Sequence, residues 1–170
     1  TQAGRWRPWL VLTAALGLAA TTIEAVQLRI VPASRQDADL RRTYEWVAAH
    51  TPPDAIVQHD PSALLEGLHA LYGNRQVAYS DRLYAALYGI ATETVLALRD
   101  ELKPLFALPA PPPADVVALA RRFGITHLVA KAKDPVWQDR GGWVWITQPL
   151  YATRSTRVVA VADLERLSHQ

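Results

Sequence analysis

TPPDAIVQHDP, residues 51–61, decides the fold. Thr51-Pro52-Pro53-Asp54 stops any helix that precedes it, because proline cannot continue a helix and restricts the residue before it. Ala55–His59 is a short apolar run with the length of a strand. Asp60-Pro61 then opens a new helix, with Asp as the cap and Pro at the first helical position. Helix, strand and helix thus follow one another within a few residues of connection, which is the grammar of an α/β sheet.

The same grammar extends in both directions. Upstream, Ser34 or Asp37 can cap a helix that runs to about His50, and Leu40, Tyr44 and Val47 form its apolar stripe. Downstream, Leu64, Leu68 and Leu71 give the helix after Asp60 an inner face, and Gly73 or Asn74 ends it. Gln76–Tyr79 reads as a second strand, and Ser80-Asp81 as another helix start followed by Leu83, Leu87 and Tyr88. Gly89 interrupts that helix. A longer one follows over Thr92–Ala107, which Pro104 must kink or cut short. Pro109–Pro113 is a stiff extended link. Pro113–Phe123 is a helix closed by Gly124, and Ile125–Ala130 is a third strand. Pro135, Gly141 and Gly142 argue for loop, while Trp143–Ile146 has strand composition. Leu150–Thr153 and Val158–Val161 are two further strands around a polar turn, and Asp163–Leu167 is a last helical turn. The expected fold is a small, mostly parallel sheet flanked by helices, in which the last two strands can add an antiparallel edge.

The N-terminal region is of another kind. Pro8–Ile23, PWLVLTAALGLAATTI, carries no charge. At about 1.5 Å per residue it covers roughly 24 Å as a helix, short of a hydrocarbon core about 30 Å thick. Continuation through Val26 and Leu28 closes the gap and sets Glu24 near the far interface. Arg5, Arg7, Trp6 and Trp9 suit a cytoplasmic interface by the positive-inside and aromatic-belt rules. Residues 1–30 are therefore expected to form a transmembrane helix with a basic cytoplasmic flank, and residues 31–170 an extracytoplasmic α/β domain. A signal peptide, with Leu18-Ala19-Ala20 as a weak cleavage motif, and a buried helix of a soluble protein are the two competing readings. Thr1 in place of a methionine fits a segment of a longer chain.

Charge and composition exclude several classes. The basic excess belongs to the N-terminal flank, since residues 31–170 carry 15 positive and 15 negative side chains. With neither a basic face nor a recognition motif, no nucleic-acid partner is expected. The absence of cysteine excludes disulfides, thiolate metal sites and a cysteine nucleophile. His50, His59, His69, His127 and His169 show no ligand spacing, so no metal is expected, although His59 and His127 fall on strands that can be neighbours. No glycine-rich phosphate loop and no Gly-x-Ser-x-Gly elbow occurs, and no cofactor is expected.

The order of YEWVAAH, TPPDAIVQHDP, LYGNRQVAYSD, FGITHLVAK and PLYATRSTRVVAV after an apolar span resembles the C-terminal extracytoplasmic domain of polytopic bacterial glycosyltransferases of the GT-C class. The overall plan is similar to that of dolichyl-phosphate-mannose protein mannosyltransferases and lipid A aminoarabinose transferases. The resemblance covers roughly Leu40 to Leu164, most tellingly at Thr51–Asp54 and Phe123–Val129. It implies an integral protein of the bacterial cytoplasmic membrane that moves a sugar from a polyprenyl-phosphate carrier to a glycan or other acceptor outside the cytoplasm. It also implies that the catalytic acid stands in an upstream extracytoplasmic loop. No catalytic residue carries over to this chain, whose implied role is accessory: acceptor binding, or cover for the active site.

Ligands of open α/β sheets bind beyond the carboxyl ends of the strands. Those ends offer His59 and Asp60, then Ser80, Asp81 and Arg82, then Lys131, Lys133 and Asp134. Arg82 and the two lysines suit a phosphate or an acidic sugar, and Asp60 and Asp81 suit sugar hydroxyls. Helix capping by Asp60 and Ser80-Asp81, and surface pairing of Arg82 and the lysines, are the structural alternatives. Trp137, Trp143 and Trp145 can stack on a sugar, rest on a membrane or cover the core. The non-enzymatic alternative for the whole chain is a membrane-anchored α/β module that binds a partner protein or an envelope polymer.

Overall fold

The computed structural model describes residues 35–62, 72–79 and 89–169. The expected apolar span at 8–23 lies outside the described residues, as do most of the helices expected after Asp60 and after Ser80, including Asp81 and Arg82. Among the described residues no helix is long and apolar enough to cross a membrane.

Helix α1 (Arg35–His50) buries Leu40, Tyr44 and Val47, the stripe that its periodicity predicts. Thr51 ends it, with both its backbone N–H and its hydroxyl donating to the Val47 carbonyl at 3.1 and 2.7 Å. Strand β1 (Val57–His59) follows. Helix α2 (Thr92–Leu102) stops short of Pro104 and gives way to a 3₁₀ turn over Lys103–Phe106, which resolves the expected kink as an early end. Helix α3 (Pro113–Arg122) has proline at its start and Gly124, at φ +65°, just beyond its end. Strand β2 (His127–Lys131), a 3₁₀ turn at Pro135–Gln138, helix α4 (Trp143–Ile146), strands β3 (Tyr151–Ala152) and β4 (Thr156–Ala160), and helix α5 (Val161–Ser168) complete the chain.

The sheet runs β1-β2-β4-β3 and is mixed. Among the described residues only β1 and β2 are a parallel strand pair; β2–β4 and β3–β4 are antiparallel. This corrects the mostly parallel expectation, while the last pair does form the antiparallel edge. Parallel pairing needs a long crossover, usually a helix. The chain supplies α2 and α3 between β1 and β2, but only two short helical turns between β2 and β3. The expected strand at Gln76–Tyr79 reduces to one parallel bridge between Ile56 and Gln76. Beyond it the Gln58 side chain takes over, its Oε1 accepting the Tyr79 N–H at 2.9 Å. Trp143–Ile146 is a helical turn, not a strand. Adjacent Trp143 and Val144 are both fully buried, which a helix end allows and the alternation of a half-exposed strand does not.

Successive strand residues face opposite sides, and two apolar clusters result. Val57, Val129 and Val158 meet α1 on one face. Leu128, Ala130 and Val159 meet α2, α3 and α5 on the other, with Phe106 and Trp143. The described residues thus form three layers, helix, sheet and helices. Truncating a fully buried residue such as Leu102 to alanine costs about 2–5 kcal/mol.

Candidate functional site

The parallel register, His59 opposite Val129, brings His59, Asp60 and Lys131 out at one end of the sheet. This carboxyl edge holds five of the eight residues expected there from the sequence, His59, Asp60, Lys131, Lys133 and Asp134; Ser80, Asp81 and Arg82 lie outside the described residues. Its character is unlike that of an open ligand shelf, because nearly every polar group in it is buried.

Lys131 is 3 % exposed and Asp134 is 2 % exposed. The Lys131 Nζ stands 3.6 Å from Asp134 Oδ1, while Asp134 Oδ2 accepts the backbone N–H of Lys131 at 2.8 Å. The Asp134 N–H returns to the Lys131 carbonyl at 2.9 Å. One carboxylate therefore turns the chain at the end of β2 and neutralises the ammonium group there. Lys133, inside that turn, is exposed.

His59 is buried, with Nδ1 3.1 Å from the Tyr44 hydroxyl and the two rings edge to face. Asp60 Oδ1 accepts the Ser62 N–H at 2.8 Å, closing a turn. Gln58, fully buried, donates to the His59 carbonyl at 2.7 Å and accepts from Tyr79. Sequence reasoning missed Gln58 and Tyr44. A glutamine within a buried apolar strand is the signal that marks the first, since such an amide must find partners. Tyr44 was legible only as core.

A second polar chain continues along β4. Thr156 Oγ1 lies 2.6 Å from Thr43 Oγ1 and 2.7 Å from Thr153 Oγ1, and the Ser155 hydroxyl donates to Asp39 Oδ2 at 2.8 Å. These contacts tie the β3–β4 turn to the first turns of α1. Among the described residues no buried side-chain nitrogen or oxygen lacks a hydrogen-bond partner.

His127 does not join His59. It pairs with Val57, at the other end of the strand pair. Its Nδ1 lies 2.8 Å from Thr126 Oγ1. Burial holds its pKa below the ordinary 6.5, against a smaller opposing pull from Asp163.

The tryptophans divide. Trp143 is fully buried, its Nε1–H donating to the Leu105 carbonyl at 2.9 Å, with Phe106 edge to face. Trp137 is buried and meets Trp145 edge to face at 4.9 Å. Trp145 is half-buried, with the guanidinium groups of Arg140 and Arg157 over its ring.

Among the described residues no group of three or more His, Cys, Asp or Glu is arranged to hold a metal. No protein-family model matches the chain, and no curated protein matches it either.

Proposed function

We propose that this chain is the C-terminal extracytoplasmic part of an integral membrane glycosyltransferase that uses a polyprenyl-phosphate-linked sugar, and that its role there is accessory. The order of segments along the sequence supports the family reading, and the α/β architecture is compatible with it. One observation carries the accessory role: Asp60 and Asp134 accept backbone N–H groups, and Asp134 lies 3.6 Å from the buried Lys131 ammonium. A general acid or base must reach a substrate proton. Asp134 and Asp60 are instead engaged with backbone N–H groups of their own turns, so the edge acts as a fixed wall beside an acceptor or over a catalytic site supplied upstream.

Two measurements test this. Intact mass of the native polypeptide, extracted from its source membrane with detergent, should exceed 18.8 kDa several-fold. A native chain of about that size overturns the glycosyltransferase reading and leaves a membrane-anchored binding module. In the full-length protein, Arg82→Ala with Lys133→Ala should lower sugar transfer from a polyprenyl-phosphate donor without lowering stability. Lys131 is left intact because its buried pairing makes it a folding residue. Unchanged turnover in the double variant removes the edge from substrate contact.

A further inference from the structure

The surface around Trp145 carries a different chemistry. The Arg140 Cζ lies 3.8 Å from the Trp145 ring centroid and the Arg157 Cζ lies 4.0 Å from it. Both guanidinium groups thus lie within cation–π distance of one indole. The indole is held in place by its Nε1–H bond to the Trp137 carbonyl at 2.9 Å, and Arg157 by a 3.3 Å bond to the Val144 carbonyl.

Neither arginine makes an ion pair among the described residues. The adjacent acid, Asp139, gives Oδ2 to the Ala110 N–H and Oδ1 to the Gly141 N–H. Two like charges are therefore fixed at one ring with no carboxylate between them. Two large apolar side chains on the same stretch of chain are also in water. Ile146, which follows Trp145, is 45 % exposed, and Leu150 is 44 % exposed. The Leu150 N–H binds the carbonyl of Val158, the residue after Arg157 on β4, whose own partner on β3 is Ala152.

We propose that this face docks on an anionic lipid surface, with Arg140 and Arg157 meeting headgroup phosphates and Ile146 and Leu150 entering the acyl boundary. Charge complementarity selects an anionic occupant. The exposed isoleucine and leucine select lipid over a soluble anion, which would use the guanidinium groups and leave both apolar side chains in water. A neutral sugar is disfavoured because stacking needs a free indole face, and two guanidinium groups already lie over Trp145. The placement stands on these residues alone and does not depend on the chain being a glycosyltransferase.

The chain contains no cysteine, so a single label can be placed at will. Ile146→Cys in the full chain, carrying a polarity-sensitive fluorophore, is mixed with vesicles of phosphatidylcholine alone or of phosphatidylcholine and phosphatidylglycerol in equal parts. Ala97→Cys, at an exposed position on α2, is the control that reports general membrane association. The expected result is a blue shift at position 146 with the anionic vesicles only, and none at position 97. The lipid concentration that gives half the maximal shift should rise about fivefold with Arg140→Gln, and similarly with Arg157→Gln if circular dichroism shows that variant folded. An equal response on both vesicle types, or at both positions, overturns the proposal. So does displacement of the signal by inorganic phosphate, which would reassign the arginines to a soluble anion.

Discussion

The carboxyl edge and the Trp145 face both gather charged residues, and they treat them in opposite ways. At the edge, Lys131 and Asp134 are almost wholly removed from water and answer each other. At Trp145, two arginines share an indole and have no acid. Desolvation explains the difference. A buried charge is tolerated only when its partner is fixed nearby, so the edge must be closed on itself to exist. A guanidinium over a half-exposed ring keeps much of its hydration and needs no such closure. Charge at the carboxyl end of a strand is thus a poor guide to ligand contact until its burial is known, while unpaired charge on a fixed aromatic is a better one.

The largest test of that contrast is Asp134→Ala. It leaves Lys131 buried without its carboxylate and also frees the Lys131 backbone N–H. A loss of about 3–5 kcal/mol is expected, the cost of removing one partner of a buried pair, read from urea or thermal unfolding. A loss below about 1 kcal/mol would mean that the pair is hydrated in solution, and the two regions would no longer differ. Gln58→Leu comes next. The change nearly conserves shape and takes the acceptor from the Tyr79 N–H and the donor from the His59 carbonyl. An unsatisfied buried group costs about 1–3 kcal/mol. Amide exchange should localise the damage, with the Tyr79 N–H losing protection before those of β2.

How far the sequence announces these features depends on the range of the interaction that makes them. The α1 stripe, the stop at Thr51–Asp54 and the early end before Pro104 are set within a few residues, and the pattern at Leu40, Tyr44 and Val47 or the lone Pro104 is enough to read them. The mixed sheet is not local. Nothing within TRVVA says whether it will pair with its neighbour alone or turn back along β2, a choice made by register across the domain. Trp143–Ile146 misleads because aromatic and β-branched residues favour strands, whereas burial of Trp143 against Leu105 and Phe106 overrides that preference. At the site, His59, Asp60 and Lys131 are legible as strand ends. Their closure is not, because it depends on Tyr44 from another helix and on Asp134 turning back three residues.

The smallest expected effect is the most useful complement to the vesicle experiment. Arg140 is exposed and contributes to folding only through its place over Trp145. An exposed cation on an aromatic face is worth about 0.5–1 kcal/mol, so Arg140→Ala should lower stability by no more than that in the assay applied to Asp134→Ala. The bound follows from what remains: the indole keeps its hydrogen bond to Trp137 and Arg157 keeps its place over the ring. A loss as large as that of Asp134→Ala would make the stacked arginine a brace of the fold, and the distinction between the two regions would fail from the other side. A small loss means that the protein retains an unpaired guanidinium that folding does not require. Its selection then has to be sought in what the surface touches, which is the question that labels at 146 and 97 answer.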